Sequence, residues 1–361
     1  MKHTRQTGPA PRPATVADVA RLAGVSTMTV SRVVNAEPSV RPDSRAKVQA
    51  AIAALNYTPN PAARRLAGSR PIVIGLPYGS SRAGYLNGFM LGLLTRISLR
   101  HVQLLARACD VGRDGVDVVA AMLAEGVDGL ILPPPFCESR ALLDLVARSG
   151  TPAVTVSAGR AEPGLHAVGI DDYQAAYEMT RHLLALGHQR LGFVVGNPAQ
   201  SSAARRLAGF QAAVAEAGLD ARLDVQTAQG RFSYQSGLAA AEQLLQGPRR
   251  PSAIFASNDD MAAATVAAAQ RLGLYVPSDL TVVGFDDTPL ATTIWPELTT
   301  VRQPIGDMAG AAVDVLVRHI RAARNGGLLA PVQQQMAHEL VRRQSDAAPK
   351  RRPAVRPLAP A

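Results

Sequence analysis

A chain of 361 residues is longer than one ordinary domain and can bury a sizeable core. Its 47% hydrophobic and 18% charged residues suit a globular protein, and no apolar run approaches the ~18–20 residues of a membrane span, so no membrane partner is expected. The formal charge of +10 is unevenly placed: residues 1–70 hold 11 Lys/Arg against 3 Asp/Glu, residues 341–361 hold 6 against 1, and the stretch between is mildly acidic.

Two cysteines, Cys109 and Cys137, make no disulfide framework, and the seven histidines form no metal-ligand spacing. No metal site and no cofactor is expected. The opening residues carry charge but no apolar core of a secretory signal, so the expected location is cytoplasmic.

Taken in chain order, residues 1–13, with Pro9, Pro11 and Pro13 among small and basic residues, read as a flexible leader. Residues 14–60 read as an all-helical unit. Thr15 suits an N-cap with Asp18 three positions on, for a helix running to Ala23; Gly24 breaks it. Ser26 suits the cap of a second helix with Val30, Val33 and Val34 on its apolar face, and a third follows Pro42 with Val48, Ile52 and Leu55 in register. Two helices joined by a short glycine turn make a helix-turn-helix. The second helix of such a unit lies in the major groove, where each base pair shows a distinct donor and acceptor pattern. Thr27, Met28 and Ser31 stand on its first turn, followed by Arg32. An arginine there can grip guanine, a threonine can bond a base or phosphate, and methionine offers an apolar contact. Thr15, Ser26, Thr29 and Asn35 are small polar groups suited to phosphates.

Residues 61–70 read as a linker and residues 71–345 as an α/β body. Short apolar runs (72–77, 102–106, 129–133, 153–157, 191–195, 253–257 and 281–285) alternate with helical stretches such as 173–186 and 259–272. This rhythm predicts βαβ units, and seven or more strands over some 270 residues suit two parallel-sheet subdomains with a ligand cleft between them. Residues 346–361 read as a disordered basic tail, either a nonspecific aid to nucleic-acid binding or a solubilising end.

The stretch from Thr15 to Asn35 resembles the lactose-repressor (LacI/GalR) family of bacterial regulators, and the resemblance runs over nearly the whole chain, the two tails apart. It implies a helix-turn-helix headpiece on a periplasmic-binding-protein-like effector domain. It also implies a homodimer on a pseudo-palindromic double-stranded operator and a small-molecule effector, a sugar or sugar acid. The segment Leu55 to Gly68 looks like the family's hinge helix, which forms on operator DNA; Leu66, supported by Ala63 and Ala67, matches its minor-groove wedge. In the body, Arg206 matches the family's ligand-bonding arginine and Phe232 its stacking aromatic. Asn258, Asp286 and Gln303 match further ligand contacts, Asn258 and Asp286 at the carboxyl ends of strands, where open α/β sheets place binding groups. After the first strand the sequence departs from the family's aromatic-rich segment, leaving Tyr85 or Tyr78 for that role. The family's tetramerising C-terminal heptads are absent from 341–361.

Two other classes fit less well. A secreted sugar-binding protein shares the body but has no use for a helix-turn-helix. An enzyme is not expected, since no dinucleotide, P-loop or nucleophile-elbow motif is present.

Overall fold

The computed structural model describes residues 14–34, 40–57, 71–79, 83–100, 102–159, 162, 164–220, 224–247, 249–327 and 329–350. Asn35, the linker 61–70 with Leu66, and the leader 1–13 lie outside the described residues. The chain divides between Pro71 and Ile72 into two compact units.

The first unit holds α1 (Val16–Ala23), α2 (Thr27–Val34) and α3 (Pro42–Ala54). Thr15 caps α1 in a capping box with Asp18, and Gly24 ends it in the left-handed conformation that glycine adopts without steric cost. Ser26 Oγ accepts from Thr29 N at 3.2 Å and so starts α2. With both ends of the turn set locally, Val19, Ala20, Ala23, Val30, Val33, Val48 and Ala51 meet in one small core.

The second unit is two lobes, each built on a six-stranded sheet. Lobe 1 contains β1 (Val73–Tyr78), α4 (Ala83–Arg100), β2 (Gln103–Ala108), α5 (Gly115–Ala124), β3 (Gly129–Leu132), α6 (Arg140–Ser149), β4 (Ala153–Val156) and β5 (His166–Gly169). Lobe 2 contains α7 (Asp172–Ala185), β6 (Leu191–Val195), α8 (Ser201–Glu216), β7 (Val225–Gln229), α9 (Tyr234–Leu245), β8 (Ala253–Ala256), α10 (Asp259–Arg271), β9 (Thr281–Asp286), the short α11 (Leu290–Thr293) and β10 (Thr299–Arg302). The chain then returns to lobe 1 for α12 (Ile305–Arg324) and β11 (Gln333–Gln335), and ends on lobe 2 with β12 (Glu339–Val341).

The two sheets have the same order, β2-β1-β3-β4-β5-β11 and β7-β6-β8-β9-β10-β12. All pairings are parallel except that of β10 with β12. The chain therefore crosses between lobes three times, between Gly169 and Asp172, Arg302 and Ile305, and Gln335 and Glu339. The two lobes are thus joined by three covalent segments.

Most strands expected from apolar runs are buried on both faces, and β3, β4, β8 and β9 are buried at every residue; β2, expected from the run 102–106, is instead an edge strand with no buried residue. The sequence reading passes over β5, β7, β10, β11 and β12. These lie at or next to a sheet edge; β5, β7, β11 and β12 keep exposed or half-buried positions, and β10, though mostly buried, opens with Thr299 and Thr300, whose hydroxyls bond Asp346 and Asp259. The fully exposed glutamines of β11 pair with β5, and Val332 N, just before them, donates to His166 Nδ1 at 3.0 Å. The expected tail boundary also moves. Asp346 is buried and accepts from Thr299 Oγ1 at 2.5 Å, and Lys350 pairs with Asp279, so residues 346–350 pack on lobe 2 instead of starting a loose tail.

Candidate functional site

Arg206, on the second turn of α8, is the centre of a buried polar cluster on the face of lobe 2 that meets lobe 1. It is 2% exposed. Its Nε donates to Asp172 Oδ1 at 2.8 Å, and Nη1 donates to the carbonyl of Ser257 at 2.5 Å and stands 3.6 Å from Asp286 Oδ1. The guanidinium lies 3.6 Å over the Phe285 ring and 5.8 Å from that of Phe232. A buried cation held this way is positioned, because removing any partner leaves charge in a low-dielectric interior.

The groups around it come from the carboxyl ends of β8, β9 and β10. Asn258 caps α10 by accepting from Met261 N at 3.1 Å, and its Nδ2 donates to the carbonyl of Phe232 at 3.2 Å. That tie holds Phe232 at φ +62°, with its ring in space that Gly196 leaves open for want of a Cβ. Asp286 adopts φ +111° and accepts from Gln303 Nε2 at 2.6 Å. Beneath them Asp259 accepts from Thr288 N, Thr288 Oγ1 and Thr300 Oγ1 at 2.7, 3.1 and 2.7 Å. Burial, and next the neighbouring Asp286, push its carboxyl up to about 8.

Lobe 1 supplies the opposite wall. Tyr85 is buried, stacks on Phe89 and shares a 2.7 Å hydrogen bond with Ser157 Oγ. Glu138 Oε2 accepts from Ser201 N, at the start of α8, at 2.5 Å. Burial pushes the Glu138 carboxyl up, against the lowering effect of the Ser201 N–H and hydroxyl and of the Gly159 N–H. A Cβ at Gly159 would overlap the backbone nitrogen of Ser202. The lobes therefore touch at this point, and Gly159→Ala is expected to keep them from meeting. Faster hydrogen exchange at the Ser201 and Ser202 amides would register the gap; unchanged exchange would show that the lobes part there anyway.

Thus Arg206, Phe232, Asn258, Asp286 and Gln303 are brought together in one connected cluster on lobe 2, Asn258 largely committed to holding its neighbours, whereas the contacts described for Tyr85 lie within lobe 1. Sequence reasoning missed Glu138, Ser157, Asp172 and Asp259. Of these Asp172 and Asp259 share a local signal, each being the first residue of a helix after an Asp or Asn cap. Among the described residues no group of three or more His, Cys, Asp or Glu could hold a metal ion.

In the first unit, α2 buries Val30 and Val33 and turns Thr27, Met28, Ser31 and Arg32 outward, Met28 being 62% exposed. Thr15 Oγ1 and Ser26 Oγ are exposed but bonded locally, to Asp18 and to Thr29 Oγ1 at 2.7 and 3.0 Å. An exposed helix on a separate small core has the geometry that a major-groove reader needs.

A family model described as bacterial regulatory proteins, lacI family, matches residues 15–60, and one described as a periplasmic binding protein-like domain matches residues 180–345. Catabolite control protein A of Priestia megaterium is 33% identical over 308 residues, covering 85% of this chain and 92% of that protein. The ribose operon repressor of Escherichia coli is 33% identical over 313 residues, covering 85% and 93%. The chain belongs to the LacI family of bacterial regulatory proteins. Among solved structures, a lac repressor dimer bound to operator and the anti-inducer ONPF matches with TM-score 0.70 at 29% identity, covering 93% of this chain and all of that one. The complex of the transcriptional regulator CelR with cellobiose matches at 0.68 and 29%, covering 92% and all. This LacI-family chain is a DNA-binding transcriptional regulator with an effector-binding domain of two lobes. Among its described residues, no helix is long and apolar enough to cross a membrane.

Proposed function

We propose that the chain is a dimeric cytoplasmic repressor whose affinity for a pseudo-palindromic operator is set by a sugar or sugar derivative held between the lobes. The observation that carries this reading is the cluster on Arg206. It presents a fixed guanidinium, carboxyl groups and amides toward a second lobe joined through three crossings. Donors and acceptors in one buried place suit hydroxyl groups, which are both. Arg206, Asp286 and Gln303 bond the effector, Phe232 and Tyr85 pack against it, and Asn258 shapes the loop above it. The effector alters the relative placement of the lobes, and with it the spacing of the segments that lead to the headpieces. A coupling of ~1–3 kcal/mol changes operator affinity ~5–150-fold, by release or by recruitment.

On the DNA side Thr27, Met28, Ser31 and Arg32 meet base edges, Thr15, Ser26, Thr29 and Asn35 meet phosphates, and Leu66 wedges a central base step. Pairing through the effector domains is supported by the exposed Leu91, Leu94 and Leu99 on α4 and the exposed Tyr275 and Trp295 on lobe 2, whose burial against a second copy removes apolar surface from water.

Selection from random duplexes, followed by titration with and without a sugar library, tests the reading. A two-fold symmetric site should emerge, bound by a dimer in sedimentation. Arg32→Ala should weaken it by about 1–3 kcal/mol and relax the base preference at one position per half-site. No enrichment at moderate salt would refute the operator reading; enrichment with no sugar response would refute the effector reading alone.

A further inference from the structure

Four buried side-chain atoms lack a well-aligned hydrogen bond among the described residues: Gln200 Oε1 and Gln303 Oε1, and the neighbouring pair Glu138 Oε1 and Ser201 Oγ, whose carboxyl and hydroxyl groups act on each other. Buried polar atoms are normally paired, so such a set calls for a partner, and a ligand that donates hydrogen bonds is one. Three of these four are acceptors, and the hydroxyl of Ser201 can donate or accept. For Glu138 the assignment is fixed by chemistry. For Gln303 it is fixed by the bond its Nε2 makes to Asp286 Oδ1.

The atoms belong to one neighbourhood. Glu138 reaches from lobe 1 to the first residue of α8, the helix that carries Arg206, and its carboxyl lies within the field of Asp172. Gln200 precedes the same helix and is 4% exposed. Gln303 is bonded to Asp286, which stands 3.6 Å from Arg206. Among the described residues, the carboxyl groups of Asp172 and Asp286 flank the guanidinium of Arg206, and Glu138 adds a third within the field of Asp172. The other arginine of this turn, Arg205, is paired with Asp171 and lies over the Tyr173 ring. The start of α8, which could otherwise attract an anion, is taken by the Glu138 carboxyl.

We propose that Glu138 and Gln303, with Gln200 beside them, select an effector that is uncharged or cationic and rich in hydrogen-bond donors, a polyol or amino-polyol, and reject its carboxylate and phosphate counterparts. This rests on the reading of the interlobe region as the effector site. A hydroxyl or ammonium group brings donors to these acceptors. A carboxylate or phosphate brings only acceptors, and adds negative charge beside carboxyl groups where water cannot screen them.

Matched probes test it on the full-length protein, by calorimetry and by operator affinity together: cellobiose with cellobionate; glucose with glucosamine, gluconate and glucose 6-phosphate; ribose with ribonate and ribose 5-phosphate. The expected result is a neutral or amino member that binds at least tenfold more tightly than its acid or phosphate and shifts operator affinity. Glu138→Gln, which keeps an acceptor for Ser201 N, should narrow that ratio. Gln303→Leu should weaken the neutral ligand tenfold or more, with folding of both variants checked by thermal melting. An acid or phosphate that binds as tightly as its neutral partner and moves the operator equilibrium overturns the proposal and leaves the effector reading standing. Silence of every probe in both measurements overturns the sugar-effector reading itself, and the proposal with it.

Discussion

Replacing Arg206 by methionine is expected to destabilise the effector domain by about 3–5 kcal/mol and to abolish the effector response. The guanidinium is held by Asp172, Asp286 and the Ser257 carbonyl, and it covers the Phe285 ring. Methionine fills most of the same volume, so little of the loss comes from a cavity. The cost arises because two buried carboxyl groups lose their guanidinium, and because the Ser257 carbonyl loses a donor. Urea denaturation of the isolated effector domain measures it. Combining Arg206→Met with Asp172→Asn and Asp286→Asn should restore a large part of the stability, since the charges are then removed together, but not the effector response. A single variant as stable as the parent would mean that the cluster is hydrated in solution, contrary to the burial on which the site rests.

The second large effect concerns pH. Asp259 holds its proton in the folded state up to about 8, against 3.8 for an ordinary aspartate. Between those values the native protein binds a proton that the unfolded chain has lost. The stability linked to this group is therefore complete below about pH 4 and falls away as the pH rises toward 8, with a limiting slope of about 1.4 kcal/mol per pH unit. Asp259→Asn should remove the slope. An asparagine can keep its oxygen toward Thr288 N and offer an N–H to the Thr300 hydroxyl, which can accept as well as donate. Histidines titrate in part of the same window, His166 and His188 being pushed down mainly by burial. The informative quantity is thus the difference between parent and variant, from urea midpoints at pH 5, 6.5 and 8. Parallel curves for the two proteins would show that Asp259 is ionised throughout.

These two residues differ in how far the sequence announces them. Arg206 sits in a run, Arg-Arg-Leu-Ala-Gly-Phe, whose resemblance to the family singles it out. Its partner Asp172 is 34 positions away and is marked only by its place at a helix start. Asp259 reads as a helix-start acid like many others. Its displaced proton affinity follows from complete burial and from Asp286, which reaches it only because β8 and β9 are neighbours in the sheet.

The headpiece was legible in detail because its signals are local. The Thr15 cap, the Gly24 stop and the valine spacing of α2 act within one or two helical turns, and each appears in the structure where the residues put it. The same holds for the central strands, whose burial on both faces demands continuous apolar runs. The edge strand β2 carries an apolar run, but the edge strands β7, β11 and β12 were silent, since their side chains are mostly exposed or half-buried and need not be apolar. Composition and local pattern thus determined a basic helix-turn-helix joined to a two-sheet α/β body. Tertiary structure alone decided which lobe each late element joins, that Glu138 meets Ser201 across 63 residues, and which buried oxygens lack a well-aligned hydrogen bond. The reason is physical: caps and periodicity are free-energy preferences of neighbouring residues. Charge pairing and hydrogen-bond satisfaction in a cleft depend instead on distances that exist only after the chain has crossed between lobes three times.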